Sequence, residues 1–309
     1  QFVLEKNEYW YGYNMDLYKG QYQTTKIVAE TIKEWNTAWL KFQAGQLDGI
    51  GIDVTIANDY KNSERAYFTP DDFVASLQLQ SSKEALKARE TEGKNKTILA
   101  YNDFRKALSL SINRTEFAKN TTTSSLAGYG LFTSIHYYDV ENGGVYRYTD
   151  PARQTLCDVY AIDTSKYANL EDAADAITGY DLTTARALVE SAYAAALAAG
   201  DIKATDVISL DFGSGAINEV VTRRFEAIKT YWVELLKGTS LEGRLEMTLS
   251  DKGDAWAEDF RAGGYDVCMG GWTGAAWDPG YFLLAYLSPQ YMYSAAWDTA
   301  STMLTFTMP

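Results

Sequence analysis

Histidine and cysteine are scarce in this chain of 309 residues, and their scarcity excludes several kinds of active site. The one histidine, His136, leaves no second imidazole for a multi-histidine zinc site. A lone histidine without converging partners is more often a packed or surface residue than a catalytic base. The two cysteines, Cys157 and Cys268, fit no metal-binding spacing, and they form either a disulfide or two buried free thiols.

Long apolar runs and an excess of positive charge are also missing. No segment reaches the roughly 18 consecutive apolar residues that a membrane-spanning helix requires. The chain carries 28 basic and 41 acidic residues, a formal net charge of −13, which repels nucleic acid and anionic lipid headgroups. We therefore expect neither nucleic acid nor a membrane surface as a partner.

Motifs for phosphate, dinucleotide or calcium binding are absent from the sequence. Gly213-Ser214-Gly215 lacks the third glycine of a dinucleotide fingerprint, and neither a Gly-x-x-x-x-Gly-Lys-Ser/Thr loop nor an Asp-x-Asp-x-Asp-Gly loop occurs. Acidic residues are so abundant that no pair marks a hydrolase. We expect no cofactor, no metal and no catalytic residue.

The last third of the chain has the clearest pattern. Strands are predicted at 207–212, 244–249 and 265–269. A long amphipathic helix is expected between the first two, with Ile217 and Val220 on its inner side, and a short helix over 254–261 between the last two. This β-α-β-α-β order over 207–271 favours a parallel sheet and an α/β fold. Ligands of such sheets lie beyond the carboxyl ends of the strands.

Elsewhere the expectations are coarser. Helical spacing predicts a helix over 27–42 and a strand over 50–56, whereas 122–180 is dense in Tyr, Gly, Asp and Thr and reads as a long loop. The polar stretch 80–98 is the candidate boundary between two lobes.

Residues 270–280 follow the last predicted strand and contain four glycines and two tryptophans. Glycine permits close approach to the main chain, which allows strand-like pairing with an extended ligand, and tryptophan offers a flat apolar wall. The alternative is a tight turn with two core tryptophans. Asp278, before Pro279, is interpreted as a turn residue.

Three segments resemble the large solute-binding proteins of the oligopeptide and dipeptide ABC importer family. They are Phe2 to Trp10 with Phe42 to Asp48, then Phe104 to Arg114, then Tyr265 to Trp272 with Trp277-Asp278-Pro279. Together they span nearly the whole chain.

The resemblance implies a two-lobed, type II periplasmic-binding-protein-like fold with a truncated first lobe. Residues 1–85 would belong to that lobe and residues 86–309 to the second. The chain would start midway through the family's length, without the leader of a cell-surface lipoprotein or periplasmic protein. It would act as a monomer outside the cell and deliver its ligand to a membrane permease.

The resemblance also implies the site. In peptide-binding relatives the strand and loop matching Gly270 to Ala275 lie along the ligand, and an Asp at the position of Ala275 holds the peptide amino terminus. This chain lacks that Asp. The expected ligand-binding residues are Trp256, Arg261, Gly270, Gly271, Trp272, Thr273, Gly274, Ala275, Trp277 and Asp278.

Three functions follow. The first is a receptor that closes over an extended peptide. The second is an oligosaccharide receptor of the same fold, which the missing Asp and the 23 tyrosines and eight tryptophans favour. The third, which nothing specific supports, is a carboxylate-dependent hydrolase; we expect that the protein is not an enzyme.

Overall fold

The computed structural model describes residues 1–271, 273–274 and 278–287. It divides into two compact units, residues 1–59 and the residues from 60 onward. No helix within the described ranges combines the length and the apolar composition needed to cross a bilayer.

The first unit contains a two-stranded antiparallel ribbon and one helix. The ribbon pairs β1 with β2, and the helix α1 follows; the bounds are β1 Phe2–Glu5, β2 Lys26–Ala29 and α1 Trp35–Gln43. The helix predicted over 27–42 is therefore wrong in its first part. Ile27 and Val28 are β-branched and pair with β1, and branching at Cβ favours the extended conformation.

The strand predicted over 50–56 is also wrong. The chain turns there instead, because the Asp53 carboxylate accepts hydrogen bonds from both the amide and the hydroxyl of Thr55, at 2.9 and 2.6 Å. Aspartate side chains that bind the backbone two residues ahead stabilise turns in this way. The short helix α2, Ala57–Tyr60, follows.

The second unit holds the remaining elements. Its strands are β3 Ser76–Leu79, β4 Lys94–Asn95, β5 Tyr137–Asp139, β6 Gly144–Val145, β7 Val207–Ser214, β8 Leu245–Asp251 and β9 Val267–Gly270. Its helices are α3 Lys83–Ala88, α4 Asn102–Leu110, α5 Arg114–Thr121, α6 Asp150–Val159, α7 Leu170–Asp175, α8 Leu182–Ala198, α9 Glu219–Leu236, α10 Trp256–Arg261 and α11 Pro279–Leu287. The lobe boundary expected at residue 85 stays a prediction; β3, which precedes it, belongs to the sheet of this unit.

A five-stranded mixed sheet is centred on β7. Along one edge β7 pairs in parallel with β8. Along its other edge it pairs first with β4 and then with β9, both in parallel, and β3 lies antiparallel outside β9. The predicted β-α-β-α-β unit and its parallel strands are confirmed.

One face of the sheet is covered by the main hydrophobic core. Ile208, Leu210 and Phe212 on β7 are buried in one cluster with Trp232 of α9 and Val189 of α8. Ile217 and Val220, expected on the inner side, are instead 44% and 37% exposed. Ile217 precedes α9 and Val220 lies in its first turn, where the chain has just left the carboxyl end of β7.

The long loop predicted over 122–180 is wrong in part, since it contains β5, β6, α6 and α7. The helix signals were present in the sequence. Thr149 caps α6 by accepting a hydrogen bond from Ala152, and Pro151 lies in the first turn. Asn169 caps α7 in the same way.

A buried ion pair fills the place where one edge of β7 changes partner from β4 to β9. Lys96 Nζ lies 2.6 Å from Asp266 Oδ2. The same ammonium donates to the carbonyl of Ser209, and the same carboxylate accepts from the amide of Asp211. Two β7 backbone groups that no strand reaches are thereby satisfied, which matters because a buried, unpaired backbone group is costly.

Asp266 has a second cation. Arg89, just after α3, places its guanidinium 2.6 Å from Asp266 Oδ1. The carboxylate is fully buried, and Lys96 is 12% exposed. Asp266 therefore joins β9, β7 and the segment from α3 to β4, and its removal would leave two cations without a counter-charge.

We predict that Asp266→Asn lowers the free energy of unfolding by about 3 to 5 kcal/mol, because removing one member of a buried ion pair leaves the other charge uncompensated. Chemical denaturation followed by circular dichroism measures this loss. Asp254→Asn, at an exposed position after β8, is the matched control and should change stability by less than about 0.5 kcal/mol. Equal losses for the two variants would contradict the structural role of Asp266.

Candidate ligand-binding site

The carboxyl ends of three parallel strands meet at one edge of the sheet. β7 ends at Ser214, β8 at Asp251 and β9 at Gly270. The chain then continues into Gly215, into Lys252 to Trp256, and into Gly271. Ligands of open α/β sheets lie at such an edge, so these segments are the candidate site.

Two glycines on β7 and just after it make room for aromatic side chains. A Cβ at Gly213 would lie 2.5 Å from the ring of Tyr265, and a Cβ at Gly215 would lie 2.7 Å from Trp256 Cδ1. The Tyr265 hydroxyl donates to the carbonyl of Trp256 at 2.7 Å. Trp256 is thus held, half-buried, directly over the end of β7.

The other predicted residue of α10, Arg261, lies at the far end of that helix. Its guanidinium pairs with Glu258 at 3.1 Å, one turn back, and is exposed. The structure thus brings Trp256 to the sheet edge and gives Arg261 a local partner. Their roles as pocket walls remain predictions.

Polar contacts fix the sheet face beneath the edge. Lys252 Nζ lies 2.7 Å from Asp211 Oδ2 and 5.0 Å from the ring centroid of Tyr265, and the Ser250 hydroxyl donates to Asp211. Burial raises the pKa of Tyr265 and raises the pKa of Cys268 to about 12, so both stay protonated at neutral pH. These contacts join the carboxyl end of β7 to β8 and to the start of β9.

The loop after β9 is held by the segment that leads into β3. Gly270 pairs with Ser76, and a Cβ at Gly271 would lie 2.2 Å from Phe73 Cδ2. Further along, the amide of Gly274 donates to Asp72 Oδ2 at 2.7 Å. Gly274 has φ +102°, which side chains other than glycine rarely adopt.

The remaining predicted residues divide into two groups. Thr273 is exposed, and the Asp278 carboxylate accepts a hydrogen bond from the amide of Tyr281 at 3.0 Å. Asp278 therefore caps the first turn of α11, which confirms its interpretation as a turn residue. Trp272, Ala275 and Trp277 lie outside the described residues.

An aromatic cavity of about 340 Å³ lies beside α11. It is lined by Phe132, Tyr137, Tyr138, Tyr146, Asp278, Pro279, Gly280 and Leu283. His136, next in sequence to two lining residues, is fully buried, and its Nδ1 accepts from the Thr133 amide at 3.0 Å. Burial lowers its pKa, so the ring is neutral at neutral pH. Of the two alternatives, a packed or a surface histidine, the structure shows the packed one.

Sequence reasoning missed Asp72, Phe73 and the aromatic cavity. Asp72 and Gly274 are 202 residues apart, and the Thr-Pro-Asp-Asp sequence before Phe73 is typical of an ordinary turn. The four aromatic residues of the cavity lie in the stretch 122–180 that is predicted as a loop, and its abundance of tyrosine is the one usable signal. In the described part of the chain, no three His, Cys, Asp or Glu side chains converge as a metal site would require.

A family model described as "Bacterial extracellular solute-binding proteins, family 5 Middle" matches residues 1–294. No curated protein matches the sequence. Several solved structures share the fold. The substrate-binding domain of an oligopeptide ABC transporter from Bacillus anthracis is 16% identical, with a TM-score of 0.61 over 94% of this chain and 46% of that chain.

A periplasmic oligopeptide-binding protein from Thermotoga maritima is 16% identical, with a TM-score of 0.58 over 95% of this chain and 49% of the other. OppA of Listeria monocytogenes, solved bound to peptide, is 17% identical, with a TM-score of 0.56 over 88% and 45%. The chain thus spans less than half the length of these proteins. Their likeness confirms the predicted fold class, mixed α/β of the type II periplasmic binding proteins.

We predict that Gly271→Ala displaces Phe73 and lowers the free energy of unfolding by about 1 to 3 kcal/mol, because a methyl group has no space beside that ring. Thermal and chemical denaturation measure the change. Gly49→Ala is the matched control, since its Cβ would meet nothing within 4 Å and its φ is not in the left-handed region. A Gly271→Ala protein as stable as the control would contradict the packing of Phe73 on this loop.

Cys157 and Cys268 are free and buried, and burial raises the pKa of both thiols. We therefore predict that neither reacts rapidly with Ellman's reagent in the native protein at pH 8, because only the exposed thiolate is nucleophilic. Unfolding in guanidinium without reductant should release two reactive thiols per chain. Finding none after unfolding would show that the cysteines form a disulfide instead.

Proposed function

The chain belongs to the bacterial extracellular solute-binding proteins of family 5, and from that premise we propose that it captures extracellular peptides for an ABC importer. The observation that carries the proposal is the glycine-rich loop that leaves β9 at the carboxyl edge of the sheet. An extended peptide offers a main chain, and such a loop recognises a main chain by strand-like hydrogen bonds without regard to sequence.

Two described positions of the loop are held by the segment before β3. Phe73 packs against Gly271, and the Asp72 carboxylate accepts a hydrogen bond from the Gly274 amide, so these two positions are fixed before any ligand arrives. A preorganised backbone loses less conformational entropy on binding. Trp256, fixed over Gly215, offers an aromatic wall at the same edge.

Delivery to a membrane permease follows from the family and completes the proposal. In this role the protein is a carrier and performs no chemistry on its ligand. The ligand would be enclosed between two lobes by hinge closure and released at the permease. A monomeric receptor, anchored to the cell surface by a lipid or free in the periplasm, fits this role.

A second ligand class is favoured by one observation. The cavity beside α11 presents four aromatic side chains and the Asp278 carboxylate. Flat rings and a hydrogen-bond acceptor suit the apolar faces and hydroxyls of an oligosaccharide. A sugar would also need no counter-charge at its ends.

Native mass spectrometry of the full-length protein, purified from its own host, tests the proposal, because tightly held ligands survive gentle desolvation. We predict a ladder of adducts spaced by amino-acid residue masses. Adducts spaced by hexose masses would favour the oligosaccharide alternative. Stripped protein that captures nothing from a peptide mixture in calorimetry would contradict the proposal.

A further inference from the structure

The aromatic cavity beside α11 has a composition that suits a positively charged ligand. Four of its eight described lining residues are aromatic, three are the apolar or small residues Pro279, Gly280 and Leu283, and the eighth is Asp278. The described lining therefore holds one acidic side chain and no basic or amide side chain. The faces of aromatic rings carry partial negative charge, so rings and carboxylate together attract a cation.

Two of the aromatic walls are held in place by their neighbours. Phe132 and Tyr146 meet edge to face, with ring centroids 4.7 Å apart and ring planes at 72°. The amide of Tyr146 donates to the carbonyl of His136 at 3.0 Å, and the buried His136 ring packs against Phe132 with centroids 5.5 Å apart. These walls are in position without a ligand, and a preformed site loses less conformational entropy on binding.

A third wall comes from the hairpin of β5 and β6. Tyr138 of β5 lies across Gly144 of β6, where a Cβ would be 2.8 Å from Tyr138 Cζ, so glycine makes room for the ring. The turn of the hairpin is closed by Asn142, whose backbone and side-chain amides donate to the two oxygens of Asp139 at 3.1 and 2.8 Å. Tyr138 is 62% exposed, which leaves its ring accessible to a ligand.

The cavity is not occupied by a cation from the described part of the chain. The Asp278 carboxylate is exposed, and no described lysine or arginine lies within 4.0 Å of it, although fourteen other ion pairs form. Arg147 is adjacent in sequence to a lining residue, but its guanidinium lies 5.6 Å from the ring centroid of Tyr148, which does not line the cavity.

The size of the cavity limits the ligand. Cavities that hold small molecules span about 300 to 1,000 Å³. This one, at about 340 Å³, is close to the lower limit, so it suits one compact head group better than a chain of several sugar rings. The net charge of −13 also raises the local concentration of cations around the protein. Size and charge thus favour a small cationic group over an oligosaccharide.

We propose that the aromatic cavity binds an alkylammonium group, whose head packs against the rings of Phe132, Tyr138 and Tyr146 and pairs with the Asp278 carboxylate. Two sources share this chemistry: a free quaternary ammonium compound and the side chain of a lysine within a peptide. The site goes beyond the proposed function, because it is defined by the cavity and not by the loop after β9.

The test is a ligand-observed NMR titration of the full-length protein, stripped of ligand, with two cations and two uncharged counterparts of similar shape. Choline is compared with 3,3-dimethylbutan-1-ol, and Nα-acetyl-lysine methylamide is compared with Nα-acetyl-norleucine methylamide. Broadening of the probe signals gives the dissociation constants. Maltotriose, added to the protein with its bound cation, tests the oligosaccharide alternative by competition.

We expect a cation to bind about 3- to 30-fold more tightly than its uncharged counterpart, the range that cation–π interactions give. Binding of choline without binding of the blocked lysine would identify a free quaternary ammonium compound as the ligand. Binding of the blocked lysine would identify a peptide side chain. Both results support the site and distinguish the two sources.

Two variants locate the bound cation. Tyr138→Leu keeps an apolar side chain but removes the ring, and it should weaken cation binding about 3- to 10-fold with little effect on the uncharged probe. Asp278→Asn keeps a side chain that caps α11 and should weaken cation binding about 2- to 5-fold, as expected for an exposed ion pair. Tyr167→Leu, at an exposed tyrosine outside the cavity, is the matched control and should bind as the unchanged protein.

Four results would overturn the inference: no binding of either cation, equal binding of each cation and its uncharged counterpart, cation binding that neither Tyr138→Leu nor Asp278→Asn weakens, and displacement of the cation by maltotriose. None of them bears on peptide capture by the loop after β9, which the ladder of peptide adducts tests separately.

Discussion

The ion pair between Lys96 and Asp266 is the constraint on which the candidate site depends. One edge of β7 pairs first with β4 and then with β9. Between these two short strands, the carbonyl of Ser209 and the amide of Asp211 would have no partner inside the protein. An ammonium and a carboxylate fill that interval. Because each ion also has the other as a partner, their attraction offsets part of the cost of desolvating the two charges.

The ion pair also affects the candidate site, because Asp266 fixes the position of β9. Asp266 directly precedes β9, and its backbone also pairs with Asp211 and Gln80 on either side. β9 is thereby fixed between β7 and β3, which sets where Gly270 leaves the sheet. The segment before β3 then runs beside the emerging loop, and this brings Phe73 and Asp72 to Gly271 and Gly274. The buried ion pair of Lys96 and Asp266 thus determines where the main chain of the loop after β9 leaves the sheet.

The sequence predicted the parts of this arrangement that depend on local pattern. The pattern of apolar residues from 207 onward predicted the strands and helices of the parallel unit. Local pattern failed where the same spacing of apolar residues fits both a helix and a strand. Ile27 and Val28 are an example, because pairing with another strand decides their conformation. It also failed at Ile217 and Val220, because periodicity identifies a face of a helix and not the residue at which the helix begins or how deeply its first turn is buried.

Long-range polar contacts were beyond prediction for a different reason. Asp266 in Tyr-Asp-Val resembles any aspartate that precedes a strand, and nothing nearby indicates that two cations, from positions 89 and 96, converge on it. Asp72 resembles a turn residue for the same reason. The segment from Tyr265 to Trp272 resembles a family of binding proteins, and this resemblance pointed to the carboxyl edge of the sheet. The side chains that support that edge, however, come from segments far away in sequence.

The most direct test of this account is hydrogen–deuterium exchange on the full-length protein, with and without its co-purified ligand. The account predicts that ligand slows exchange at residues 270–274 and 72–76. The ligand main chain would pair with the loop, and the two segments are joined by strand pairing and by the hydrogen bond from Gly274 to Asp72. Protection confined to the aromatic cavity around residues 132–146, with no change at 270–274, would contradict it and would place the ligand elsewhere.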